Sequence, residues 1–110
     1  MSSLSTHVLD AVLGQPAAGV RVTLLSSGAG DWREIGSDET DTDGRIATFT
    51  SGALAPGGYR LVFATGAYFE RSGQQGFYPE VVISFVLDEE RHYHVPLLLS
   101  PYAFSTYRGS

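Results

Sequence analysis

Four stretches of the chain alternate apolar and polar residues with a period of two, the repeat that places every second side chain of a strand on one face. Val20, Val22 and Leu24 form one set, and Tyr59, Leu61 and Phe63 a second. Val81, Ile83, Phe85 and Leu87 form a third, and Tyr93, Val95, Leu97 and Leu99 a fourth. These sets are expected to supply much of the core. Turn-forming residues separate them: Gly14-Gln15-Pro16, Ser26-Ser27-Gly28-Ala29-Gly30, Asp41-Thr42-Asp43-Gly44, Ala55-Pro56-Gly57-Gly58 and Asp88-Glu89-Glu90. Seven or eight strands fit between these breaks, which is the pattern of an all-β sandwich or barrel. One short helix is predicted over about Thr65 to Gly73. It is too brief to order a crossover between parallel strands, so mostly antiparallel sheets are expected.

Composition narrows the class. A chain of 110 residues makes one domain, 1–110, with no internal repeat or linker. Its 43% hydrophobic and 17% charged residues are ordinary for a globular protein, which argues against disorder. No apolar run approaches the ~20 residues that cross a bilayer, so no membrane partner is expected. There is no cysteine, which excludes disulfides, thiol catalysis and thiolate metal sites. The net charge is -5, with seven arginines scattered and no lysine, so no basic stripe invites nucleic acid. Met1-Ser2-Ser3-Leu4 carries no basic residue ahead of an apolar segment and the C-terminus lacks Ser-Lys-Leu, so a cytoplasmic location is expected.

Candidate chemistry gathers at a few places. His92-Tyr93-His94 opens the fourth strand, so its two imidazoles share the face opposite the core set. With His7 as a third ligand, the same spacing could form a three-histidine zinc site. A pair of solvated surface histidines satisfies the pattern equally well. Glu39-Thr40-Asp41-Thr42-Asp43-Gly44 imitates the first half of a calcium-binding EF-hand loop, but the twelfth position is Thr50 and no helices flank it. An Asp-rich turn into a strand over Arg45 to Thr50 is the expected structure. At the C-terminus, a strand would place Tyr102, Phe104, Thr106, Arg108 and Ser110 on one face, where a frayed tail is the simpler alternative.

Four blocks together carry a family resemblance: His7-Val8-Leu9-Asp10, Thr42-Asp43-Gly44-Arg45, His92 through Tyr102 (HYHVPLLLSPY), and Tyr107-Arg108-Gly109-Ser110. In this order and spacing the chain resembles the 5-hydroxyisourate hydrolases, also called transthyretin-like proteins. The resemblance implies a two-sheet antiparallel β-sandwich of seven to eight strands with one short helix. It further implies a homotetramer, a dimer of dimers, with its sites where the dimers meet. Hormone-carrying transthyretins share parts of these blocks but lack the residues that correspond to His7, Arg45, His94 and the closing tetrapeptide, so the hydrolase branch is implied.

The implied reaction opens the six-membered ring of 5-hydroxyisourate with water, in urate degradation, to give 2-oxo-4-hydroxy-4-carboxy-5-ureidoimidazoline. No metal and no cofactor are implied. A base for water, a donor for the carbonyl oxygen and a proton for the departing nitrogen are needed. His7 and His94 suit the proton transfers, with the division of labour between them open. Arg45 suits oxyanion and substrate binding, and Ser110 would orient water or substrate through its hydroxyl and carboxylate. Tyr107 and Arg108 are expected to contribute to the substrate pocket or its structure, and His92 to neighbour the site. The alternative is a transthyretin-like protein that binds a small molecule without turning it over.

Overall fold

The alternating sets become strands whose apolar faces meet between two sheets. The computed structural model describes residues 2–28, 30–49 and 53–109. In chain order its elements are β1 (Ser3–Asp10), β2 (Gln15–Pro16), β3 (Arg21–Gly28), β4 (Asp31–Glu39), β5 (Arg45–Ile46), β6 (Gly57–Phe63), α1 (Thr65–Arg71), β7 (Val81–Leu87), β8 (His92–Ser100) and β9 (Ala103–Thr106). One sheet runs β2-β1-β8-β9, with β5 also paired to β1; the other runs β4-β3-β6-β7. Among the described residues there are nine strands where seven or eight were expected; seven have four or more residues, and β2 and β5 have two each.

Val20, Val22, Leu24, Leu61, Phe63, Leu97 and Leu99 are all essentially inaccessible, and Leu4 and Val8 of β1 join them. Each such side chain contributes roughly 1.5–3 kcal/mol relative to exposure. Ile83 and Phe85 only lean on this core, because β7 is the outermost strand of its sheet. The pairing is antiparallel except for β1 with β8, which run parallel over their full shared length, Ser3↔His92 to Asp10↔Leu99. No crossover helix is needed for that pair, because the whole second sheet lies between the two strands in sequence.

Two elements are shorter than the pattern suggests. β5 ends at Ile46, and beyond it Phe49 N–H reaches only the Leu4 carbonyl, at 3.3 Å; Thr50 lies outside the described residues. α1 stops at Arg71, and Gly73 follows with a left-handed φ of 73°, a common way to end a helix. The helix is tied to β1 through the buried Asp10. Its carboxylate accepts from Tyr68 Oη (2.7 Å), Gln74 Nε2 (2.9 Å) and the backbone N–H groups of Val12 and Leu13 (both 2.9 Å). Burial alone would raise the Asp10 pKa, but these four donors outweigh it and hold the carboxyl below its usual range.

Candidate active site

The face of β1 that does not point into the core carries Ser3, Ser5 and His7, and the corresponding face of β8 carries His92, His94 and Pro96. Parallel pairing sets Ser3 beside His92, Ser5 beside His94 and His7 beside Pro96. On the other side of β1, antiparallel pairing puts Arg45 opposite His7. Two strand registers thus bring three distant parts of the sequence, His7, Arg45 and the pair His92 and His94, to the walls of one cleft of about 390 Å³, with Ser5 between them. That volume suits a small ring-shaped ligand.

The turn Asp41-Thr42-Asp43-Gly44 aims both Arg45 and His7. Asp41 Oδ1 accepts from the backbone N–H of Asp43 (2.9 Å) and of Arg45 (3.0 Å). The Arg45 N–H, with the charges of Arg45 and His7, holds the Asp41 carboxyl below its usual range. The Asp43 carbonyl accepts from His7 Nε2–H at 2.9 Å, which leaves Nδ1 as the basic nitrogen of a neutral His7. Gly44 takes a left-handed φ of 76°, and any Cβ there would overlap the Val8 carbonyl. The acidic run is therefore a structural turn: the Asp41 carboxylate is engaged by backbone N–H groups.

His94 is half-buried, and its pKa is lowered, first by that burial and then by the charges of His7, His92 and Arg45. It stays neutral, and hence basic, at neutral pH. Its Nδ1 lies 2.8 Å from Ser5 Oγ, and among the described residues its Nε2 makes no hydrogen bond. His92 is more exposed, and both of its ring nitrogens are engaged, Nδ1 at 2.6 Å from Ser3 Oγ and Nε2 at 2.8 Å from Ser5 Oγ. Among the described residues no three His, Cys, Asp or Glu side chains are placed to hold a metal ion, the proposed His7, His92 and His94 trio included.

The C-terminal segment returns to this site. β9 pairs with β8 from Ser100↔Ala103 to Leu97↔Thr106 and then breaks, because Pro96 has no N–H to offer the next rung. Thr106 Oγ1 instead donates to the Pro96 carbonyl (2.8 Å). Pairing resumes at Gly109, whose N–H donates to the His94 carbonyl at 2.8 Å. A Cβ on Gly109 would lie 2.6 Å from His94 Cδ2, so glycine is what lets the segment pack against the imidazole. Tyr107 and Arg108 are not brought into the histidine cleft; they line a neighbouring groove of about 310 Å³ with Asp88, Tyr93 and Val95. Ser110 lies outside the described residues. Sequence reasoning overlooked Ser3 and Ser5, although their period of two ahead of His7 would have placed them on the same face.

Fold and cleft together define a two-sheet β-sandwich that carries a histidine and arginine site on the outer face of one sheet. The HIUase/Transthyretin family model matches residues 4–109, and the chain belongs to that family. It is 48% identical over 109 residues to the 5-hydroxyisourate hydrolase of Salmonella typhimurium, covering 97% of this chain and 80% of that one. The solved 5-hydroxyisourate hydrolase of Klebsiella pneumoniae is similar at a TM-score of 0.89 and 42% identity, covering 98% and 99% of the two chains. Sea bream transthyretin, solved in complex with thyroxine, shares the fold at a TM-score of 0.91 and 34% identity, over 96% and 93% of the chains.

Proposed function

We propose that this chain is a hydrolase of 5-hydroxyisourate, opening its six-membered ring at an amide bond to give 2-oxo-4-hydroxy-4-carboxy-5-ureidoimidazoline, without a metal or cofactor. The observation that carries the reading is the convergence of His7, His94 and Arg45 on one cleft in a chain whose relatives bear that name. His94, held neutral, takes a proton from water through Nε2 as the water oxygen bonds to the ring carbonyl carbon. Arg45 stabilises the negative charge on the carbonyl oxygen with its planar fork of donors. The C–N bond then breaks, and the imidazolium returns its proton to the departing nitrogen. His7, fixed by the Asp43 carbonyl, orients the substrate and the water. Ser110 belongs to the substrate-binding part of this reading, and Tyr107 and Arg108, which line the neighbouring groove, to the structure around it.

Homotetramer assembly, with sites where dimers meet, is part of the same proposal. It is supported by the outer strands β7 and β9 and by exposed Val82 and Val86 on β7, features that monomers ordinarily protect. We place the enzyme in the cytoplasm.

The thyroxine complex of sea bream transthyretin favours a second reading, small-molecule binding without turnover. One assay separates the two. 5-Hydroxyisourate generated enzymatically and followed by its ultraviolet absorbance should decay faster with the protein present, equally with and without a chelator. No acceleration would leave the binding reading standing, and chelator sensitivity would contradict the metal-free mechanism.

A further inference from the structure

The chain has three histidines, and two of them form an unbroken hydrogen-bonded series with two serines. Ser3 Oγ meets His92 Nδ1, and Ser5 Oγ bridges His92 Nε2 and His94 Nδ1 at 2.8 Å each. A serine hydroxyl carries a single proton, so Ser5 donates to one imidazole and must accept from the other. The series therefore has two proton registers.

In the first register His92 Nδ1–H donates to Ser3, Ser5 donates to His92 Nε2, and His94 Nδ1–H donates to Ser5. A neutral His94 then presents a bare Nε2. In the second register all three bonds are reversed, and the hydrogen of neutral His94 sits on Nε2. A neutral His92 permits either register. A protonated His92 has a hydrogen on both nitrogens, so its Nε2–H must donate to Ser5 and only the second arrangement of Ser5 and His94 survives.

We propose that Ser5 and His92 are positioning residues that set the tautomer of His94: the neutral pair holds His94 Nε2 bare toward the cleft, and protonation of His92 reverses the Ser5 hydroxyl and moves the His94 hydrogen to Nε2. The proton balance is simple. One proton enters from solvent at His92 Nε2, and His94 gives up its Nδ1 hydrogen as it gains one on Nε2. Among the described residues the charged groups around the pair are Arg91 beside His92, with its Nε 3.3 Å from the His92 carbonyl, His7 on β1, Arg45 on β5, and Asp41 beside those two. None of them contacts the two bridging bonds, so the register is a matter for Ser5 and the imidazoles. The catalytic consequence rests on His94 being the base, as proposed above; the tautomer switch itself does not.

Two measurements test it. With three histidines to assign, two-bond proton–nitrogen correlation spectra of histidine-labelled wild-type protein over about pH 5 to 8 read each tautomer directly. His94 should carry its hydrogen on Nδ1 at the basic end and move it to Nε2 as His92 titrates. An Nδ1 of His94 that stays bare throughout, or a His94 tautomer that ignores the His92 titration, would overturn the proposal, whether or not the protein hydrolyses anything. In turnover, Ser5→Ala should lower kcat about tenfold or more with KM within about twofold, and Ser5→Thr should recover part of the loss. Gln at position 92 can accept from Ser5 without titrating, so His92→Gln should move the acid limb of the kcat profile to lower pH. A Ser5→Ala enzyme with wild-type kcat and an unaltered His92→Gln profile would remove the catalytic role.

Discussion

His94 is exposed enough to meet a ligand and buried enough to resist a charge. Its pKa is lowered in the fold, so as pH falls the unfolded chain binds this proton first, near the ordinary histidine value of 6.5. The stabilisation associated with its neutral form is therefore full above that value and is lost as pH falls through the folded value. Urea midpoints followed from about pH 8 to pH 5 should decline more in wild type than in His94→Asn. In turnover His94→Asn removes the proposed base, and kcat should fall by about a hundredfold or more at neutral pH. Arg45→Ala removes the donor at the developing oxyanion and should cost a similar factor, whereas wild-type activity in Arg45→Ala would dismiss that role. Gly109 is a more stringent test of geometry. The Cβ of Gly109→Ala would lie 2.6 Å from His94 Cδ2, so the ring or the segment must move, and kcat should drop about tenfold or more with the unfolding midpoint little changed.

The elements that present these side chains are held by two polar devices. One is the Asp41 to Gly44 turn. Gly44→Ala would force a left-handed alanine against the Val8 carbonyl, and the strain should cost on the order of 1–3 kcal/mol in urea unfolding as well as displacing Arg45 and His7. The other is the Asp10 carboxylate, which fastens α1 to the end of β1. Tyr68→Phe leaves the buried Asp10 carboxylate one donor short and should cost about 1–3 kcal/mol. It should leave KM nearly unchanged, because neither residue lines the histidine cleft. The long strands were legible because Val20 to Leu24, Tyr59 to Phe63 and Tyr93 to Leu99 bury one face each, and burial imposes a period of two. β5 and β9 were not. Their ends depend on which partner can still offer a hydrogen bond, as Pro96 shows when it interrupts the pairing of β9.

For the assembled protein, the proposal that sites lie where dimers meet predicts that activity falls with dilution as the tetramer dissociates, measured by sizing chromatography beside the absorbance assay. A monomer with full activity would contradict it. From the residue order alone came the all-β class, the single short helix, the core sets and the four blocks that match the family. Each of these is carried by local periodicity or by contiguous residues. His7, Arg45 and His94 could be named as a set through resemblance, but their meeting could not be read from spacing, since they are separated by tens of residues. Tertiary structure decided it through two registers: β1 parallel to β8 sets Ser5 beside His94, and β1 antiparallel to β5 sets His7 opposite Arg45. It also turned His92 from a neighbour into a hydrogen-bonded partner and placed Tyr107 and Arg108 in an adjacent groove. The physical reason is the same throughout. Which face a residue occupies follows from its own strand, whereas what it touches depends on the register of another strand, and that is set by packing and turns far away in the chain.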